Sequence, residues 1–228
     1  MNRALIMGNG PSLDLIDFKK LKESSVSTFA CNKISKLCKE KKWHPDFYAA
    51  FFAEPFRGTR YPGDIEQAKS ARADIKYISG NSSTKCYLHK WYEEFVSPQD
   101  NVEFHDPLLI NRHKRFDVDS FSKFKTPDTF LWHIAVTPLF QLCFQMGIKE
   151  IGLIGQDGHK IDKKNNHYSG YVGPEQAVEK IKIGNDRIIA LHDAVQDYAT
   201  KNNISIFNLS DDSIINHYPY MNIEEFLK

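Results

Sequence analysis

No apolar run in the sequence approaches the roughly 20 residues that a membrane-spanning helix needs, so no such helix is expected. A single Arg precedes a short strand-like stretch at the N-terminus, which is not the pattern of a signal peptide. Charge is nearly balanced, with a net of +1 over 228 residues. Without a basic excess, generic nucleic-acid binding is not expected. Cysteine is sparse. Cys31, Cys38, Cys86 and Cys143 form no C-x-x-C, and Cys143 lies in an apolar helix-like stretch. They read as reduced core thiols of a cytoplasmic protein rather than as disulfides or zinc ligands. H-E-x-x-H, G-x-S-x-G, the G-x-G-x-x-G fingerprint and the Gly-Lys-Ser/Thr of a P-loop are all missing. So are internal repeats and low-complexity linkers.

What is present begins with Ala4-Leu5-Ile6-Met7-Gly8-Asn9-Gly10-Pro11-Ser12-Leu13. An apolar run into Gly-Asn-Gly-Pro-Ser reads as a buried first strand, a tight turn and a helix start. Gly8 and Gly10 are expected to allow a positive φ and the close approach of a ligand. Ser12 is expected to cap the next helix while the free N–H groups there face an anion. This is the pattern of a nucleotide phosphate site at the carboxyl end of a first parallel strand.

Further along, Ser27–Cys31 and Asp46–Phe51 read as strands two and three, with a helix over 33–41 between them. Strand, helix, strand, helix, strand predicts a Rossmann-like, mostly parallel α/β sheet with helices on both faces. The length suits one domain over residues 1–228, with a small lid over about 158–185. Glu54–Asp64, rich in Pro and Gly, is a loop. Ile65–Arg72 reads as a helix, Asp74–Ser79 as a fourth strand and Leu88–Phe95 as a further helix. Ser97–Asp128 shows no clear period; its basic run Asn111–Arg115 reads as a solvated loop, or else as a face for an anionic acceptor. Thr137-Pro138 supplies an N-cap and first helical residue, and an apolar helix runs on to Gly147. Ile151–Ile154 is a buried strand ending in Gly155-Gln156-Asp157-Gly158. After a polar loop come a long helix with Ile188, Leu191, Val195 and Tyr198 in register, a last strand at Ile204–Phe207, and a short helix at Ile223–Leu227.

Three strand ends thus carry polar residues: Asn9, Asn32, and Gln156 with Asp157. In a parallel sheet these share one edge and converge on one ligand. Asn suits a ribose, a base edge or a phosphate. Asp157 suits a ribose hydroxyl, a lid contact or a loop cap. The loop Asn165–Tyr171 holds His167, the residue type of a general base, and Tyr168 and Tyr171, which can donate to a leaving phosphate without a metal. His133 reads as packing or capping. Asp117-Val118-Asp119 is a D-x-D, a pair that elsewhere holds a divalent metal.

At these motifs the chain resembles the small bacterial sialyltransferases that use CMP-sialic acid and modify lipooligosaccharide. Their Gly-Asn-Gly-Pro-Ser-Leu start is matched by Gly8–Leu13, and their Cys-Asn after the second strand by Cys31-Asn32. Their Lys-Glu-Ile strand ending in Gly-x-Asp is matched by Lys149-Glu150-Ile151 and Gly155-Gln156-Asp157, and their His-Tyr-x-Gly by His167–Gly170. The chain also resembles the MptE-like 6-hydroxymethylpterin pyrophosphokinases and motility-accessory-factor proteins. These share the start, the Gly-Gln-Asp strand end, and a terminal pattern matched by Asn208-Leu209-Ser210 and Pro219-Tyr220. The Arg-x-Thr-Ser-Gly element of the sialyltransferases is replaced by Trp132–Thr137, where Thr137 stands for the helix-start hydroxyl.

The first resemblance implies a metal-independent glycosyltransferase that moves an acidic sugar from a CMP-sugar donor to a glycan or lipooligosaccharide acceptor, in the cytoplasm and without a required cofactor. In that scheme His167 is the base, with Tyr168 and Tyr171 on the phosphate. Gly8, Asn9, Gly10, Ser12, Asn32, Thr137, Gly155, Gln156 and Asp157 bind the nucleotide. The second resemblance implies pyrophosphate transfer from ATP to a hydroxymethyl-dihydropterin with Mg²⁺. A non-catalytic nucleotide-binding module and a homo-oligomer stay open as well.

Overall fold

Among the described residues of the computed structural model, nine strands and six helices follow one another. The strands are β1 (Arg3–Met7), β2 (Ser27–Cys31), β3 (Phe47–Ala50), β4 (Lys85–His89), β5 (Val102–His105), β6 (Leu108–Leu109), β7 (Leu131–Trp132), β8 (Glu150–Ile154) and β9 (Ser205–Asn208). The helices are α1 (Phe18–Glu23), α2 (Ser35–Lys41), α3 (Asp64–Ser79), α4 (Thr137–Gln145), α5 (Val178–Lys201) and α6 (Ile223–Phe226). The structure describes residues 2–51, 64–106, 108–109, 131–132, 134–158, 168 and 178–228, and only the backbone at 64–68, 108–109, 131–132 and 178–181.

Seven strands form one sheet in the order β5-β4-β3-β2-β1-β8-β9, and every pairing in it is parallel. β6 and β7 pair separately. Strands buried on both faces read as unbroken apolar runs, which is why β1, β2 and β8 are visible in the sequence. β1 shows the two-sidedness residue by residue. Leu5 and Met7 enter the apolar layer that contains Leu13, Leu21, Leu37, Ile75 and Phe226. Ala4 and Ile6 enter the opposite layer with Leu139, Phe140, Leu191 and Val195. Helices therefore cover both faces, with α1, α2, α3 and α6 on one side and α4 and α5 on the other.

The middle of the chain departs from the sequence reading. Asp74–Ser79 is not a strand but the last turns of α3. Ala71, Ile75 and Ile78 are buried at spacings of four and three, a helical stripe that a short window mistakes for alternation. The fourth strand is β4, where Cys86 and Leu88 are buried and alternate with half-buried neighbours. The helix expected at Leu88–Phe95 is only a 3-10 turn at Lys90–Glu94. β5 emerges from a stretch in which no period was visible. The loop at 54–64 lies almost wholly outside the described residues, as do Asn111–Arg115 and Asp117–Asp119.

β1 is the point where strand order reverses, since β2 lies on one side of it and β8 on the other. Open α/β sheets place ligands in the crevice beyond the carboxyl ends of such strands.

Candidate functional site

The β1 and β8 ends are locked together before any ligand is considered. Gly8 N–H donates to the Ile154 carbonyl at 2.8 Å, and Gly10 N–H donates to Gly155 O at 2.7 Å. A Cβ on Gly8 would fall on the Gly155 carbonyl, within 2.7 Å of its carbon, and a Cβ on Gly10 would fall on the Asp157 carboxylate. Neither residue has a positive φ, contrary to expectation; Gly155 at 69° and Gly158 at 74° do. Glycine at 8 and 10 is thus required by the close approach of two turns of the same chain.

Ser12 also differs from its expected role. It lies inside a 3-10 turn, Pro11–Leu15, whose cap is Gly10. Its hydroxyl accepts from Gly155 N–H at 2.8 Å, and its own N–H donates to Asp157 Oδ2 at 2.9 Å. The anion at this turn is the protein's own carboxylate. Asp157 is 5 % exposed, and its Oδ1 is buried without a partner among the described residues.

Beyond these turns opens a cavity of about 330 Å³, within the range of small-ligand sites. It is lined by the Gly8–Gly10 turn, Cys31 and Asn32 after β2, the Ile134–Val136 turn, the Gly155–Gly158 turn, and Gly184, Arg187 and Ile188 of α5. Asn9, Asn32, Gln156 and Asp157 thus meet at one opening. Asn9 Nδ2 donates to Cys31 O at 3.2 Å, tying the first strand end to the second. Asn32 takes a left-handed φ of 53°, and its carbonyl accepts from the Tyr48 hydroxyl at 2.7 Å. Burial pushes the Cys31 thiol up to about 12, so it stays protonated. All four cysteines are free and buried.

Gln156 is set by a residue that sequence reasoning passed over. His192 of α5, fully buried, contacts Gln156 Oε1 through Nε2 at 3.2 Å and the Tyr218 hydroxyl through Nδ1 at 3.0 Å. Burial pushes its pKa down to about 3, aided by the charge of nearby His217. The imidazole is therefore neutral and structural. One signal was available: His192 follows Ile188 by four residues and adjoins Leu191, so it belongs to the buried stripe of the helix. Gln156 Nε2 is buried without a partner among the described residues, and the backbone carbonyl of Gln156 accepts from Ser213 Oγ at 3.0 Å.

Two expected ligand residues are engaged elsewhere. Thr137 is wholly buried; its hydroxyl accepts from Ile134 N–H at 3.0 Å, and the helix cap is Val136. It therefore holds the Ile134–Val136 turn that lines the cavity. Tyr168 is 6 % exposed and packs in the apolar layer containing Leu13 and Leu37. Its hydroxyl donates to Glu40 Oε2 at 2.7 Å, and Tyr168 is not among the described residues that line the cavity. Burial and Glu40 together hold that phenol well above its usual range. Its backbone N–H donates to Asn9 O at 2.7 Å, so the chain position after His167 is fastened to the glycine turn. His167 and Tyr171 lie outside the described residues, and residues 178–185 of the expected lid belong to α5.

Among the described residues no three His, Cys, Asp or Glu side chains are grouped to hold a metal ion, and no helix is long and apolar enough to cross a membrane.

No protein-family model matches the chain, and no curated protein does. Solved structures do. The sialyltransferase CST-II in complex with a trisaccharide acceptor and CMP superposes with a TM-score of 0.50 at 16 % identity, covering 96 % of this chain and 86 % of that one. The MAf glycosyltransferase from Magnetospirillum magneticum AMB-1 superposes with a TM-score of 0.53 at 10 % identity, covering 98 % of this chain and 34 % of that one. These are the two groups that the sequence motifs resemble. At such identities the likeness establishes the α/β fold.

Proposed function

We propose that the protein is a glycosyltransferase that moves an acidic sugar from a CMP-sugar to a glycan hydroxyl. The observation that carries this reading is the convergence of Asn9, Asn32 and Gln156 on one cavity at the strand-order reversal. The motif resemblance and the shared fold with a sialyltransferase bound to CMP support it.

In this scheme the nucleotide lies across the β1 and β2 ends, with the amides of Asn9 and Asn32 as its polar partners. The acceptor oxygen forms a bond to the anomeric carbon of the sugar while the bond from that carbon to the CMP phosphate breaks. His167 takes the acceptor proton. Tyr171 donates to the departing phosphate, a contribution of about 10²–10³ in rate for an oxyanion donor. Tyr168, whose phenol serves Glu40 and whose N–H donates to Asn9 O, is a positioning residue.

The decisive experiment pairs binding with turnover. CMP is expected to raise the melting temperature more than UMP, GMP or ATP; at 100 times its Kd a ligand adds about 2.7 kcal/mol. With CMP-sialic acid and an oligosaccharide acceptor, His167→Ala is expected to lose about 10²–10⁴ in turnover. Near-full turnover in that variant refutes the base assignment.

A second reading rests on Asp157 Oδ1, a buried carboxylate oxygen with no partner among the described residues, at the end of a Gly-Gln-Asp turn. It could help hold Mg²⁺ for pyrophosphate transfer from ATP to a hydroxymethyl-dihydropterin. That reading requires stabilisation by ATP rather than CMP, and an activity abolished by EDTA.

A further inference from the structure

The turn that should cradle an anion has little left to offer one. Of the five N–H groups between Gly8 and Leu13 (Pro11 has none), four already donate within the protein: Gly8 to Ile154 O, Gly10 to Gly155 O, Ser12 to Asp157 and Leu13 to Gly10 O. Asp157 moreover adds a negative group at that corner. Yet any nucleotide-linked acidic sugar brings two anions, a phosphate and a carboxylate. Their positive partner must come from another wall of the cavity.

One residue meets that need. Among the described residues lining the cavity, Arg187 is the only Lys, Arg or His. It is half-buried, and no ion pair or hydrogen bond joins its guanidinium to another described residue. Gly184, Arg187 and Ile188 stand at i, i+3 and i+4, so α5 turns one face to the opening. That face continues to Leu191 and His192, both fully buried, and His192 is tied to Gln156 at 3.2 Å. The helix is thereby fixed against the β8 turn, and Gly184 lines the same cavity one turn before Arg187. A guanidinium offers a rigid planar fork that matches the paired oxygens of carboxylates and phosphates.

We propose that Arg187 is the anion-recognising residue of this cavity, pairing with the charged oxygens of the donor. This rests on the CMP-sugar reading above. The shared chemistry is an oxyanion, supplied either by the nucleotide phosphate or by the carboxylate of the acidic sugar.

The test is calorimetric binding of cytidine, CMP, CMP-sialic acid and ATP to the wild type, Arg187→Ala and Arg187→Lys. Unchanged melting temperatures without ligand certify that the variants are folded. A sugar-carboxylate seat predicts that Arg187→Ala weakens CMP-sialic acid about 10- to 100-fold, the factor carried by a charge-assisted hydrogen bond, and leaves CMP unchanged. A phosphate seat predicts an equal loss for CMP and CMP-sialic acid, with cytidine unchanged. In either case Arg187→Lys, which keeps the charge without the fork, falls between. Equal affinities in wild type and Arg187→Ala for every ligand overturn the proposal and leave the glycosyltransferase reading standing. So does a loss for cytidine as large as that for CMP, because cytidine carries no anion. If the wild type binds ATP and not CMP, the CMP reading fails, and the effect of Arg187→Ala on ATP decides the role of the arginine alone. If the wild type binds none of them, both fail.

Discussion

Gly8→Ala is the sharpest probe of how the site is built. The added methyl would meet the Gly155 carbonyl, with its carbon at 2.7 Å and Gln156 Cγ at 2.9 Å. The first obstacle is backbone, so no rotamer change relieves it. To make room, the β1 and β8 turns must separate. That weakens the Gly8 N–H to Ile154 O and Gly10 N–H to Gly155 O bonds, each worth about 0.5–1.5 kcal/mol. Overpacking adds about 1–3 kcal/mol. The expected cost is therefore about 2–6 kcal/mol, a large part of the roughly 5–15 kcal/mol that keeps a domain folded. Gly147→Ala is the control. Gly147 has φ 70°, but nothing lies within 4 Å of its added Cβ, so only backbone strain of about 1–2 kcal/mol applies. Urea unfolding of both variants decides the matter. If Gly8→Ala costs no more than Gly147→Ala, the two turns are not in the contact described, and the account of why glycine stands at 8 and 10 is wrong.

The same pair of turns shows what the sequence reveals and what it hides. β1, β2 and β8 are legible because a strand buried on both faces is a plain apolar run, and the polar residues closing those runs mark the cavity edge. The glycine-rich corner was legible as a tight turn. Its partner was not: Gly8 and Gly155 are separated by most of the sheet's strands in sequence, and only the parallel pairing of β1 with β8 brings them into contact. Hence Ser12 looked like a helix cap facing an anion, whereas its N–H serves Asp157. Asp74–Ser79 failed for a local reason, since six residues cannot separate a helical stripe from strand alternation. His192 was hidden by its ordinariness, as one histidine among nine, and only tertiary packing puts it against Gln156. Arg187 was equally silent, because a lone arginine on an amphipathic helix reads as solvated until the opposite wall of a cavity is known.

Three further perturbations follow from named contacts. Tyr168→Phe keeps the buried ring but removes the hydroxyl that donates to Glu40; it is expected to cost about 0.5–1.5 kcal/mol in denaturant unfolding, and a loss above 3 kcal/mol would contradict a role confined to that bond. Asn32→Gly relieves a left-handed φ of 53°, so stability is expected to hold or rise by up to about 1 kcal/mol, while CMP affinity falls; unchanged affinity would remove Asn32 from the nucleotide's partners. The last concerns acid. Unfolded His192 takes up a proton below its ordinary pKa of 6.5, whereas the folded residue resists until about pH 3. The unfolded state therefore binds more protons across that window, and stability is lost as pH falls through it, with a slope of up to about 1.4 kcal/mol per unit. Between pH 6.5 and 4.5 this one group accounts for about 2–3 kcal/mol. His192→Gln, which cannot titrate, is expected to be less stable at pH 7 through loss of the ring's packing on Phe140, yet to lose less stability on acidification than the wild type. Parallel stability-against-pH curves for the two proteins between pH 7 and 4.5 would mean that His192 is protonated as readily in the folded protein as in the unfolded chain, and that Gln156 is not held by a neutral imidazole.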